Sequence, residues 1–263
     1  MGVITNISLR EIQELFPSYN LKFLEATSNG IMDTTLIVSN TDKSYILKKY
    51  ERDISKKIVS DTKTLSKLFE RGLNVPILLA TKRGWHLYKK LDGETPRWIN
   101  SYHIVSLARF MAELHTQTKK IKSDVNFIAN YDLKSILNYT KKEHYSYFKK
   151  LSFVQEYRAK NDGLIHGDIF QDNCVYDGSK IGVFDFIDSG YGEFLFDVAV
   201  ALTAFNPHKR KLFLNLFIKT YNQKSPKKIK IKELQDMLKI ASAFYALLRI
   251  DKYKNTKKAR ELL

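Results

Sequence analysis

The reading of the fold turns on one stretch, Leu164–Ala199, LIHGDIFQDNCVYDGSKIGVFDFIDSGYGEFLFDVA. Between Asp162 and Asp197 lie eight carboxylates (Asp162, Asp168, Asp172, Asp177, Asp185, Asp188, Glu193, Asp197) and one lysine, Lys180. Like charges this dense are costly to ionise unless a cation or protons offset them. Oxygen donors with few thiols or imidazoles among them suit a hard cation such as magnesium. Cys174-Val175-Tyr176 and Lys180–Phe184 read as strands around Asp177-Gly178, a strong hairpin signal. Folding that hairpin brings Asn173, at its entry, toward Asp185, at its exit, and Asp168 lies at the same open end. Two side-chain oxygens would then hold a metal and a third carboxylate would reach a substrate proton. The alternative for these residues is a polar turn with solvated acids.

Upstream, Ser8 and Glu11 have capping-box spacing and start a short helix that Pro17 ends. Ile31–Ser39 and Ser44–Tyr50 read as a hairpin around Asn40-Thr41-Asp42-Lys43. From Asp53 to Arg71 the period becomes helical, with Ile54, Ile58, Leu65 and Leu68 on one face and Gly72 as the C-cap. Short strands follow near Ile77–Ala80 and Trp85–Tyr88, and Lys89–Glu94 reads as a linker. Beyond it the chain is mostly helical. Ile104, Leu107, Ala108, Met111 and Leu114 mark one amphipathic helix, residues 132–160 hold one or two more, and others cover about 196–221 and 231–252. The last ten residues, rich in lysine, are expected to fray. The fold class is therefore α+β, with a small antiparallel-sheet part and a larger helical part.

Composition narrows the function classes. The chain has 263 residues, enough for a substantial core, and a single cysteine that cannot form an internal disulfide. No apolar run is long enough to span a membrane, and no signal peptide is visible, so a reducing cytoplasm is the expected location. The net charge of +16 invites a nucleic-acid reading, but 34 of the 44 basic residues are Lys and only 10 are Arg, the residue preferred for bidentate recognition. The segment 162–197 carries seven net negative charges, leaving +23 for the rest. An acidic site inside a basic protein is the stronger signal, and neither nucleic acid nor membrane is an expected partner.

His166-Gly167-Asp168-Ile169-Phe170-Gln171-Asp172-Asn173 resembles the catalytic loop of the protein-kinase-like superfamily, H-x-D-x-x-x-x-N. The Gly after His, and Val183-Phe184-Asp185-Phe186, resemble its small-molecule branch: aminoglycoside phosphotransferases, choline kinases and type II homoserine kinases. The whole run is most similar to the homoserine kinases, and Gly72–Pro76 and Glu113-Leu114-His115 extend the resemblance. It implies a two-lobed fold with a nucleotide lobe over 1–88, a hinge over 89–94 and a catalytic and acceptor lobe over 95–263. It also implies ATP and Mg2+, with Asp168 as the base and Asn173 and Asp185 as metal ligands. His166 orients the loop and Asp197 anchors its backbone, the alternative for Asp197 being a helix N-terminal acid.

In the nucleotide lobe the family's strand lysine falls on Lys48, alternatively an edge lysine facing water. Asp61 lies on the apolar face of its helix, where an unpaired carboxylate is unfavourable, and is a natural partner for Lys48. The family has Glu there. Gly30 is the lone glycine of a sparse phosphate loop, and Lys89–Leu91 would pair adenine through backbone groups. Only 11 residues separate Asp185 from Asp197, too few for a long activation segment, so the acceptor is a small alcohol. Homoserine needs an anion and a cation, and Asp188 and Arg249 are the candidates, with Tyr191 lining the pocket. Choline, ethanolamine, an aminoglycoside or a sugar remain alternatives, as does a non-catalytic nucleotide-binding module. Oligomeric state is not specified by the sequence.

Overall fold

The computed structural model describes residues 4–27, 33–121, 126–205 and 211–263, and within them the side chains of all but residues 55–61 and 204–205. The chain divides into two compact units. The first is Met1–Glu94 together with Gly182–Ile187, and the second is Thr95–Ile181 together with Asp188–Leu263.

The first unit is built on a five-stranded antiparallel sheet of β1 (Phe23–Ala26), β2 (Thr34–Ser39), β3 (Ser44–Lys49), β4 (Leu78–Lys82) and β5 (Trp85–Lys89), ordered β1-β2-β3-β5-β4. Side chains alternate between the two faces of a strand. Leu36, Val38, Tyr45, Leu47 and Leu87 therefore share one face, where they pack with Ile12 and Phe16 of the N-terminal segment and Leu21. Complete burial of a residue such as Leu47 or Leu87 is worth about 1.5–3 kcal/mol. The short helix α1 (Leu9–Leu15) begins with a capping box in which Ser8 and Glu11 satisfy each other's backbone N–H groups. Its single buried residue, Ile12, supplies the anchor.

Helix α2 (Ser55–Glu70) stops in a Schellman motif: the Gly72 N–H donates to Phe69 C=O and the Leu73 N–H to Leu68 C=O. Gly72 takes the required left-handed conformation, with φ of 91°, and Leu68 and Leu73 are both buried. The stretch Gly182–Ile187 groups with this unit, whereas the sequence division assigned it to the C-terminal lobe. Val183 N–H donates to Asn74 C=O at 3.1 Å, and Lys48 pairs with Asp185, so its bonds run to the sheet unit.

The second unit is mainly helical: α3 (Ser101–Thr118), α4 (Leu133–Glu143), α5 (Tyr145–Leu151), α6 (Phe194–Phe205), α7 (Lys211–Lys224) and α8 (Ile231–Tyr253). Ile104, Leu107, Ala108, Met111 and Leu114 are buried along one side of α3, which packs against α7, while α6 packs against α8. Phe127, Phe196 and Phe244 meet in mutual ring contacts at the centre. Two small antiparallel pairs complete it: β6 (Gly163–Ile165) with β9 (Gly190–Gly192), and β7 (Cys174–Asp177) with β8 (Lys180–Val183), whose last two residues belong to the first unit.

The C-terminal segment does not fray. Ala259 is fully buried, Arg249 donates to Lys258 C=O and pairs with Glu261, and Arg260 donates to the Tyr147 hydroxyl. Reading only its lysines missed these tethers, one of which reaches 113 residues back along the chain. Among the described residues, no helix is long and apolar enough to cross a membrane.

Candidate active site

The loop His166–Asn173 leaves β6 and is shaped by partners from distant helices. Gly167 sits at φ 79°, and a Cβ there would lie 2.0 Å from the Phe127 ring, so neither backbone nor space admits a side chain. Asp197, in the first turn of α6 and fully buried, accepts hydrogen bonds from the Gly167 N–H (2.7 Å) and the His166 N–H (3.2 Å). Its Oδ2 also lies 3.0 Å from Nε2 of His115, whose Nδ1 is 2.7 Å from the Tyr221 hydroxyl. A His115 that donates from Nε2 and accepts the tyrosine proton at Nδ1 satisfies every atom of this chain. The His115 ring stacks on Phe194, which holds it in plane.

Burial opposes ionisation of Asp197. The His115 hydrogen bond, the electrostatic attraction of the His115 and His166 rings, and the Gly167 N–H outweigh it and hold the carboxyl below the usual range. The buried Tyr245 donates its hydroxyl proton to the Gly167 carbonyl. Burial first, then the charges of Asp168, Asp197 and Asp188, pushes that phenol far above its ordinary pKa, so it stays a donor.

His166 is buried, and its Nδ1 accepts the Asp168 N–H at 3.1 Å. The half-buried Asp168 lies next to this frame. Asn173 ends the 3-10 turn that follows, and its amide nitrogen donates to the Asp168 carbonyl (2.8 Å) and carboxylate (3.2 Å). Gln171 donates to Pro96 C=O, and Thr95 to Cys174 C=O, which ties the loop's far end to the segment before α3. Cys174 is buried and its thiol pKa is pushed up by that burial, so it packs and does not act as a nucleophile.

In the first unit, Lys48 on β3 donates to Asp185 at 2.6 Å. Asp185 has φ of 67°, a left-handed backbone that Asp tolerates better than most residues and that marks a constrained position. Asp33 is buried in the same electrostatic environment. Desolvation raises its carboxyl pKa, against the Glu51 N–H and the charges of Lys48 and Arg52. Asp61 lies in α2 with its side chain outside the described residues, and Gly30 is likewise outside them. Lys89 ends β5, and its N–H donates to Ile77 C=O. That N–H is therefore engaged within its own unit.

Among the acceptor candidates, Asp188 is half-buried at the end of a 3-10 turn and bears on Tyr245 together with Asp168. Tyr191 lies on β9 opposite Leu164, and its carbonyl accepts the Phe127 N–H. The Arg249 guanidinium lies over the Phe170 ring, 5.6 Å from its centroid, and pairs with Glu261. The structure thus groups Lys48 with Asp185 in one unit, and Asp168, Asn173, His166, Asp197 and Asp188 in the other.

His115, Tyr221 and Tyr245 were absent from the residues picked out as site residues. His115 continues the Leu107, Met111 spacing of α3, and a polar residue on so apolar a face was the available signal that a buried partner awaited it.

A small antiparallel sheet unit, a helical unit and an H-x-D-x-x-x-x-N loop held by a buried aspartate define the α+β, protein-kinase-like class. The chain belongs to the phosphotransferase enzyme family, whose model matches residues 24–229. It is 25% identical over 228 residues to a homoserine kinase of Polaromonas naphthalenivorans, covering 77% of this chain and 72% of that one. Its fold is similar to a choline kinase from Cryptosporidium parvum (TM-score 0.75, 13% identity, 97% of this chain and 94% of that one). It is also similar to an amicoumacin kinase in complex with AMP-PNP, Ca2+ and Ami (TM-score 0.74, 16% identity, 97% and 92%). The protein is a small-molecule kinase by family.

Proposed function

We propose that the chain transfers the γ-phosphoryl group of ATP to the hydroxyl of a small alcohol, with homoserine as the acceptor. The observation that carries the reading is the Asp168 loop, a half-exposed carboxylate on a backbone fixed by His166, Asn173 and Asp197. Asp168 takes the hydroxyl proton as the acceptor oxygen bonds to the γ-phosphorus and the bond to the β,γ-bridging oxygen breaks. Lys48 sets its positive charge against the phosphates, with Asp61 as its helix partner. The hairpin backbone at Gly30 covers the phosphates, and the Lys89–Leu91 backbone receives adenine.

The donor set fits magnesium. Asn173 donates its amide nitrogen to Asp168, so its side-chain oxygen would be the ligand atom, and Asp185 would add a carboxylate, both hard donors. These two residues would hold the ion, which when bound neutralises charge on the phosphates.

The homoserine assignment rests on the relatives of that name and on Asp188 for the ammonium, Arg249 for the carboxylate and Tyr191 for the pocket wall. Arg249 pairs with Glu261 through Nη1, so an acceptor carboxylate would compete with Glu261 or take the guanidinium's other N–H groups.

ATP consumption with magnesium, measured across homoserine, choline, ethanolamine, an aminoglycoside and a sugar, tests the reading. Homoserine is expected to give the highest turnover, and Asp168→Asn to lower it by about 10²–10⁴ while leaving ATP binding intact. Turnover with choline alone would overturn the acceptor. Tight ATP binding with no acceptor-dependent turnover would make the chain a nucleotide-binding module.

A further inference from the structure

Lys48 has a second neighbour besides Asp185. Its Nζ lies 5.0 Å from the centroid of the Tyr50 ring, two residues further along the same strand direction. That ring is itself held. Its hydroxyl lies 3.2 Å from the Tyr88 hydroxyl, and its ring centroid 5.5 Å from that of His86. The β3–β5 register explains the grouping, since Lys48 pairs with His86 and Ile46 with Tyr88, on the face opposite the buried Leu47 and Leu87. Burial, then the neighbouring Tyr88, pushes the Tyr50 phenol far above its ordinary pKa, so the ring stays neutral. A neutral, largely desolvated ring presents its negative π face to an ammonium.

We propose that Tyr50 is a positioning residue for Lys48, its ring face and the Asp185 carboxylate holding the ammonium from two sides. The inference rests on the reading of Lys48 as the phosphate-binding cation. Lysine is a point charge on a flexible stem, and its placement has to be imposed from outside. A carboxylate alone leaves the ammonium free to swing around it. A ring fixed by Tyr88 and His86 removes that freedom.

The test measures kcat/KM for ATP, with magnesium and the acceptor that gives turnover, in Tyr50→Phe, Tyr50→Leu, Lys48→Met and the Lys48→Met/Tyr50→Leu double variant. The NMR shift of the Lys48 ε-methylene protons is recorded alongside. Tyr50→Leu is expected to lower kcat/KM by about tenfold, the scale of one desolvated cation–π contact. Tyr50→Phe, which keeps the ring, should recover to within about threefold. In the Lys48→Met background the Leu substitution should change kcat/KM by less than about twofold, because the partner it serves is gone. The ε-methylene resonance should be displaced by the ring in the wild type and in Tyr50→Phe, and return to an ordinary position in Tyr50→Leu.

An equal loss from Tyr50→Leu in both backgrounds, or a Phe variant as impaired as the Leu variant, would overturn the proposal and leave Tyr50 as a core side chain. If Lys48→Met itself retains full turnover, the phosphate-binding reading of Lys48 fails. In that case an unmoved ε-methylene resonance in Tyr50→Leu overturns the Tyr50–Lys48 contact, and a moved one supports it.

Discussion

Replacing Asp197 with asparagine removes one charge and keeps the shape, which makes it the sharpest probe of the loop. In the wild type the carboxylate accepts from Gly167 N–H, His166 N–H and His115 Nε2 in a fully buried setting. An asparagine that keeps its oxygen toward Gly167 turns an NH₂ group toward His166 N–H and His115, so donors face donors. One buried donor left unsatisfied costs about 1–3 kcal/mol, and here two are affected, the His166 N–H and the His115 Nε2–H. His115 can relieve part of this by moving its proton to Nδ1, at the expense of its bond from Tyr221. The expected net loss is about 3–4 kcal/mol, concentrated at the loop. Native-state hydrogen exchange of the His166 and Gly167 amides reads it directly: at 1.4 kcal/mol per tenfold, protection should fall by about 10²–10³. Protection within about threefold of wild type at both amides would refute the claim that this carboxylate holds the loop.

The same group sets an acid limit. Its folded pKa is depressed, so its stabilisation is complete above the unfolded value of about 4 and is lost as pH falls through the folded value. Acid unfolding of the wild type should therefore show a proton uptake that Asp197→Asn lacks. Gly167→Ala combines a left-handed backbone with a Cβ 2.0 Å from the Phe127 ring, and should destabilise by about 2–5 kcal/mol in urea titration. Glu261→Ala should loosen the C-terminal segment and speed its proteolysis. If instead it lowers the KM for homoserine without changing proteolysis, Arg249 is held back from the acceptor by Glu261 and the tether is secondary.

Much of the site was legible because its signal is local. Asp168 and Asn173 sit five residues apart in one loop and are joined by a direct hydrogen bond, and the Asp177-Gly178 turn fixes the hairpin that follows. The strand alternation placing Ile46 and Lys48 together, and the glycine stop at Gly72, are likewise short-range patterns. What escaped was contributed across long separations. Nothing near Gly167 specifies that Tyr245 will cap its carbonyl, or that Tyr221 will reach His115 from 106 residues away. Lys89 illustrates a different limit. Its side chain is ordinary, and only the register of neighbouring strands reveals that its N–H is already engaged. The lysine-rich C-terminal stretch misled by composition, since one buried alanine, Ala259, and two arginines outweigh its charges.

The long reach of the loop's supports has a consequence for how the protein is made. Gly167 and Tyr245 are 78 residues apart. At about 5–20 residues per second of synthesis, Tyr245 follows Gly167 out of the ribosome roughly 4–16 seconds later. Throughout that interval the nascent chain carries Asp168 and its acidic neighbours without the Tyr245 bond to the Gly167 carbonyl. A chain truncated before α8 would therefore keep the whole motif and its Asp197 anchor and lack the Tyr245 support of the Gly167 carbonyl.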